Sequence, residues 1–269
     1  MRDTCGMKLP IFQVDAFTTQ LFGGNPAAVV LLEDWLPDPV MQSIALENNL
    51  SETAFVVLRE DEFPLRWFTP TIEVDLCGHA TLAAGHVLFT HCYPSLDRVE
   101  FSTRSGILGV DRAGKILSLD FPTFPPKPAA ARGLAAALGA KPRETLLAKY
   151  LLAVFDSEAK IRSMRPDLER IRELGAFAVI VTAPGNGGGR GVDYVFRVFA
   201  PGAGIPEDPA TGSAQCTLVP YWAAHLGKSI LVSKQLSARG GEFLCGIRGD
   251  RVSISGGAVE YLRGEIHVE

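Results

Sequence analysis

Short apolar runs broken by Gly, Pro and Asn dominate the first half of the chain, and they predict strands. Ile11–Phe17 and Ala27–Leu32 read as two strands joined through Phe22-Gly-Gly-Asn-Pro26, a turn signal. Leu36-Pro-Asp-Pro39 opens a helix, with Asp38 expected as N-cap, Pro39 at the first helical position, and an apolar face of Val40, Met41, Ile44 and Ala45. Asn48-Asn49 predicts its end, because Asn tolerates the left-handed conformation that closes a helix. Ser51–Val57 and Trp67–Asp75 are extended. The period then changes, and Leu82, Ala83, Val87 and Leu88 carry helical spacing. The stretch Cys77-Gly78-His79 therefore falls where a loop becomes a helix. Val99–Thr103, Ile107–Val110 and Ile116–Phe121 read as further strands.

Pro122-Thr-Phe-Pro-Pro-Lys-Pro128 holds four prolines in seven residues, which predicts a linker. It divides residues 1–121 from the residues that follow, from 129 on. The second half predicts an Ala-rich helix over 129–138, strands at 150–155 and 176–182 around a helix near 166–174, and a strand at 192–199. Gly185–Gly191 is glycine-rich, but it lacks a Walker lysine and the GxGxxG spacing, and a strand follows it; it reads as a hairpin loop. Glu207–Cys216 leads into a helix over 217–226. The tail, 231–267, reads as short strands with turns at 239–241, 249–250 and 256–257. Set against Leu76–Leu82, Asp208–Ala214 places Ala210 and Thr211 opposite Gly78 and His79. Each half thus runs from a strand through small residues into a small, apolar helix. The pattern predicts an α+β chain of two similar halves, each offering a helix N-terminus to a shared cleft.

Composition narrows the function classes. At 269 residues and 47% hydrophobic, the chain has enough apolar mass for one large domain or two smaller ones. The net charge is −4 with no long run of like charges, which argues against nucleic acid or an anionic membrane as partner. No segment approaches the ~18–20 apolar residues of a membrane span, and the first ten residues lack an apolar signal core. Five scattered cysteines without a CxxC fit reduced thiols in a cytoplasm.

Candidate chemistry gathers at three places. Cys77, Gly78 and His79 stand at a helix start, where free N–H groups and the helix dipole favour an anion. Glu52 sits at a helix-to-strand junction, where a half-buried carboxylate can exchange protons near neutrality. Asp208, Gly212 and Ser213 stand at the second helix start. His86, His91, His225 and His267 show no metal-ligand spacing, and Ser213 lacks a nucleophile elbow.

Asp15-Ala-Phe-Thr, Gly24-Asn-Pro-Ala-Ala-Val-Val, Asn49-Leu-Ser-Glu-Thr-Ala-Phe, Cys77-Gly-His-Ala-Thr-Leu-Ala-Ala and Glu207-Asp-Pro-Ala-Thr-Gly-Ser-Ala, with Arg239-Gly-Gly, follow one another over almost the whole chain. In this order they resemble the PhzF family of phenazine-biosynthesis-like isomerases. The resemblance implies a diaminopimelate-epimerase-like fold: two pseudo-symmetric halves, each a mixed, mostly antiparallel sheet or barrel around a central helix, with the site in the cleft between them and the last strand, 258–269, returning to residues 1–121 to leave 129–257 as the second half. It further implies a cytoplasmic, cofactor-independent isomerase or epimerase without a metal, often a homodimer, acting on a small carboxylate-bearing substrate. By the same resemblance Glu52 is the general acid–base, His79 and Asp208 bind and orient the substrate, and Ser51, beside Glu52, is a further substrate-binding residue. Backbone amides near Gly78, Gly212 and Ser213 hold the substrate carboxylate. Two alternatives stay open: a thiol-assisted racemase through Cys77, whose pKa a helix start could lower, and a non-catalytic member that binds a small anion or a protein.

Overall fold

Burial alternates along outer strands such as residues 98–103, 116–122 and 230–235, which present one apolar face to a core, whereas residues 25–32, 52–57, 179–184 and 194–200 are buried almost throughout. In the computed structural model, residues 6–59, 62–186 and 191–268 are described. They fall into two compact units, Met1–Leu119 with Gly257–Glu269, and Asp120–Gly256. No helix among the described residues is long and apolar enough to cross a membrane.

The first unit contains β1 (Met7–Ala16), β2 (Asn25–Leu32), α1 (Asp38–Asn48), β3 (Glu52–Val57), β4 (Phe63–Phe68), β5 (Glu73–Val74), α2 (Gly78–Val87), β6 (Arg98–Thr103), β7 (Gly106–Ala113) and β8 (Ile116–Pro122), which runs past the unit boundary. β1 pairs antiparallel with β2, β2 parallel with β3, and β3 antiparallel with β4. β4 continues antiparallel to β5 and parallel to β6, and β6, β7 and β8 form a meander. Helix α2 packs on β1, β2, β3 and β7, and every residue of it except His86 is buried. A helix covered on all sides needs small residues for close approach. At Gly85 a β-carbon would lie 2.9 Å from a Val110 methyl. Helix α1 covers the other face, where Met41 and Ala45 join Leu9, Val30, Phe55 and Phe68 in a core.

Asn49 adopts the left-handed conformation expected of it (φ 50°). The start of α1 differs from expectation. Pro37 holds the cap position without a side-chain bond, and Asp38 is already helical. Its carboxylate instead meets Arg66 at 2.8 Å, and that guanidinium also grips Glu73.

The second unit contains β9 (Lys127–Pro128), α3 (Leu134–Leu138), β10 (Glu144–Leu147), β11 (Leu151–Val154), α4 (Glu158–Ser163), α5 (Leu168–Glu173), β12 (Val179–Pro184), β13 (Tyr194–Ala200), β14 (Ile205–Asp208), α6 (Gln215–Leu226), β15 (Ile230–Gln235), β16 (Gly241–Arg248) and β17 (Arg251–Gly256). β11 and β12 are parallel, as are β13 and β15; the other pairs are antiparallel. α6 is the central helix, packed on β15, β16 and β17. α3, α4 and α5 supply Leu134, Ile161 and Ile171 to a core with Val179, Val181 and Phe199. The final strand, β18 (Ala258–Val268), belongs to the first unit and pairs antiparallel with β1. Each half is thus a mixed, mostly antiparallel sheet around a central helix.

Three expectations are corrected here. The proline run is no free linker: Pro122 ends β8, and Lys127–Pro128 pair with Leu146 and Leu147. The Ala-rich helix is confined to Leu134–Leu138, because Gly133 takes a left-handed φ of 88° just before it. Helix α4 was not expected at all. Of the glycine-rich loop, residues 187–190 lie outside the described residues; its flanks, β12 and β13, are antiparallel.

Candidate active site

In the first unit two chain segments bring the expected residues together. Asn49 ends α1, and after Leu50 and half-buried Ser51 the chain enters β3 at Glu52. Parallel pairing of Ala27 with Glu52 fixes the carboxylate's register. Cys77, in extended backbone, precedes α2, with Gly78 and His79 as its first residues. The Thr81 hydroxyl donates to the Cys77 carbonyl at 2.6 Å and braces the entry. No side chain caps α2, so its first amides keep the capacity to hold an anion.

Glu52 Oε2 lies 3.0 Å from His79 Nε2, with the side chains 12% and 7% exposed. Neither atom makes a hydrogen bond of good geometry, so the contact is one of charge and not a directed bond. On the ring's other side, Nδ1 stands 3.5 Å from Cys77 Sγ. The imidazole therefore sits in a row between thiol and carboxylate. Burial works against a charge on His79, but the interactions with Cys77 and Glu52 on its two sides outweigh burial and hold the imidazole well above its ordinary range. Burial, reinforced by the charge of Glu52, pushes the Cys77 thiol up. The thiol thus stays protonated beside the imidazole.

This corrects one expectation. A helix start lowers a thiol pKa only where the thiolate keeps a polar environment; Cys77 is 6% exposed beside a carboxylate, and both effects act the other way. Cys216, inside α6, is pushed up to about 12 by burial. The four described cysteines are all free.

Glu52, Cys77 and His79 place one donor atom each within 4.8 Å of the others, a set chemically able to bind a soft divalent metal. The row geometry fits this poorly. One ring nitrogen faces the sulfur and the other faces the carboxylate, and a single imidazole gives a metal one nitrogen.

In the second unit, Asp208 ends β14 and Gly212–Ala214 form a 3-10 turn leading into α6, with no side-chain cap. The loop between them is pinned from β15, a feature sequence reasoning missed. Buried Gln235 accepts from the Thr211 amide at 2.7 Å and donates to the Asp208 carbonyl at 2.5 Å. The Thr211 hydroxyl donates to the Asp208 carboxylate, and Ser237 donates to the Pro209 carbonyl at 2.6 Å. Ser213 Oγ lies 3.0 Å from Tyr150 Oη. Behind the loop, Arg197 clamps Glu207 through two bonds of 2.7 and 2.9 Å while donating to the Ile161 and Met164 carbonyls. Asp208 is thus held on a rigid support within its own unit.

Residues 14–264 match the family model described as phenazine biosynthesis-like protein. The chain is 49% identical over 263 residues to a protein of Pseudomonas aeruginosa named as an uncharacterized isomerase, covering 97% of this chain and 100% of that protein. It resembles the crystal structure of a PhzF-family protein from Enterococcus faecalis with a TM-score of 0.93 and 43% identity, covering 97% and 100% of the two chains. A hydroxyproline epimerase from Agrobacterium vitis, at TM-score 0.60 and 10% identity over 97% of this chain and 92% of that one, shares the fold alone.

Proposed function

The chain belongs to the phenazine biosynthesis-like family, and on that premise we propose that it is an isomerase moving a proton between carbons of a small carboxylate-bearing substrate, with Glu52 as the acid–base group. The observation that carries this reading is the state of Glu52. Its carboxylate is nearly buried, fixed by strand register, and held with Oε2 3.0 Å from the His79 imidazole.

A proton shuttle needs a group that accepts a proton from one carbon and returns it to another, beside preorganised charge. Before the reaction the imidazole, whose charge is favoured, stands against the carboxylate. When Glu52 takes the substrate proton, His79 loses its nearest counter-charge, and it then favours the negative charge developing on the substrate. The uncapped amides at Gly78 supply a seat for the substrate carboxylate. The same proposal gives Asp208 the task of orienting the substrate, and gives the amides of Gly212 and Ser213 a share in binding its carboxylate. Support for these roles is the rigid, Gln235-braced loop in which Asp208 stands.

The test is solvent deuterium uptake. The enzyme is incubated in D2O with dihydro-hydroxyanthranilate, proline, diaminopimelate and a panel of other small carboxylates, each then read by mass spectrometry. The proposal expects at least one compound to gain a carbon-bound deuteron. Uptake by none, with binding of small anions intact, would favour a binding protein.

A further inference from the structure

The far end of α2 borders a second cavity, apart from the Glu52 site at the helix's start. It measures about 470 Å³ and is bounded by residues of the first unit alone, among them His86, Phe89, Arg112, Lys115, Leu117 and Glu260. That is the size of a small-molecule pocket. His79 and His86 are seven residues apart, so the two sites stand about 10 Å apart along the helix axis.

Sequence spacing hides the cluster at its wall. His86 and His91 are five positions apart, which on a regular α-helix sets them about 140° from each other. Here the helix loosens at Leu88–Cys92 into a π turn, whose wider winding reduces that angle; such turns recur at functional sites. The His91 ring stacks on Phe12 at 4.8 Å and meets Glu260 Oε2 through Nε2 at 2.5 Å. The charge of Glu260 is felt at His86 as well.

The cavity carries both signs of charge without joining them. Glu260 spends one oxygen on His91, and the other makes no bond among the described residues. Burial pushes the His86 imidazole down, so at neutral pH its ring is uncharged and offers one N–H and one bare nitrogen. The cations are Arg112 and Lys115. Arg112 donates to the Phe89 and Pro94 carbonyls at 3.4 and 2.8 Å and lies 4.9 Å from the centre of the Phe89 ring. Its one acidic neighbour, Asp97 at 3.3 Å, is exposed and competes weakly. Lys115, exposed in the turn between β7 and β8, pairs with no carboxylate among the described residues.

An acid and two bases that border one cavity and do not neutralise each other complement a molecule carrying both charges. Phe89 and Leu117, both buried, give the cavity an apolar wall. A metal fits poorly, because His86, His91 and Glu260 do not bring their donor atoms within 4.8 Å of one another as Glu52, Cys77 and His79 do.

We propose that this cavity binds a free α-amino acid with an apolar side chain, its ammonium on Glu260, its carboxylate on Lys115 and Arg112, and its side chain against Phe89 and Leu117. The site does not depend on the reaction proposed above.

The test is isothermal titration calorimetry of phenylalanine into the full chain. Phenethylamine and 3-phenylpropionate serve as probes that each lack one of the two charges, and far-UV circular dichroism checks folding. Phenylalanine binds, and each one-charge probe binds about tenfold or more weakly, as the loss of a charged contact requires. Lys115→Glu and Glu260→Gln each weaken phenylalanine by about tenfold or more. Glu260→Gln also removes the His91 contact, so Lys115→Glu, at an exposed and unpaired position, keeps the test decisive if the other variant misfolds. Thr90→Trp, which fills the cavity from an exposed position on its wall, abolishes binding. Glu52→Gln leaves the affinity within about twofold, which separates this site from the one at the start of α2. The proposal is overturned by absence of binding at about 10 mM phenylalanine or by one-charge probes that bind as well as phenylalanine. It is equally overturned by binding that survives Lys115→Glu or Thr90→Trp, or that is lost in Glu52→Gln.

Discussion

Replacing Glu52 by Gln keeps the side chain's shape and removes the charge that faces His79, so its effect on stability can be worked from one distance. At 3.0 Å and an effective dielectric near 20, the attraction between carboxylate and imidazolium is about 5–6 kcal/mol. Burial of both groups takes back part of that, leaving a loss of about 2–4 kcal/mol when only one partner is removed. The loss depends on pH, and its sign follows from His79. In the wild type, burial opposes the charge but the interactions with Cys77 and Glu52 win, so the folded-state pKa is raised. That contribution is fully present below the unfolded value of ~6.5 and is lost as pH rises through the folded-state value. In Glu52→Gln the contact with the neutral Cys77 thiol remains but the carboxylate is gone, so burial weighs more heavily against protonation of His79 and the folded protein loses stability as pH falls. The gap between wild type and variant is therefore widest near pH 6 and narrows as the pH rises through the raised folded-state value into the alkaline range. Paired thermal scans across that range read it, at about 2–4 °C per kcal/mol. A gap that stays constant with pH, or widens towards pH 9, would refute the charge pairing.

Arg197→Met strands Glu207 without its two-point partner and should lower the melting temperature of the second unit through a loss of about 3–5 kcal/mol, read by calorimetry; a change under 1 kcal/mol would count against the clamp. Gln235→Leu leaves the Thr211 amide and Asp208 carbonyl without their buried partner, for a loss of about 1–3 kcal/mol, and it should loosen the loop in hydrogen exchange while leaving α2 protected. Gly24 sits at φ 60° with its β-carbon direction filled by the Ala16 carbonyl and Thr18; Gly24→Ala should fail to give soluble folded protein or lose more than about 3 kcal/mol. Buried and pushed up, Cys77 should resist iodoacetamide at neutral pH in peptide mapping of the native protein, whereas rapid alkylation would bring back the thiol racemase.

The elements legible in the sequence were those whose cause is local. Asn49 ends α1 because its own side chain tolerates the left-handed region, and the small residues after Cys77 announce a helix that must be approached from all sides. Where a distant residue decides, local reading failed. Asp38 looks like a cap, yet Arg66, 28 positions away, draws its carboxylate aside. The start of α3 is set by the backbone of Gly133, which composition does not reveal. The site behaved likewise. Glu52, His79 and Asp208 stand out by motif, but the contact of Glu52 with His79 depends on β3 and α2 meeting in space. Nothing near Asp208 announces Gln235. The direction of the Cys77 shift was missed because a helix start is visible in sequence and burial beside a carboxylate is not.

The central claim is that one carboxylate carries the proton. It is tested most directly by carbon-bound deuterium incorporation in D2O, using the substrate found in the panel and comparing wild type, Glu52→Gln and Cys77→Ala. General acid–base catalysis by Glu52 predicts that Glu52→Gln loses about 10²–10⁴-fold in exchange rate, while Cys77→Ala keeps the rate within about tenfold of wild type. Exchange that survives Glu52→Gln and stops in Cys77→Ala would contradict the account.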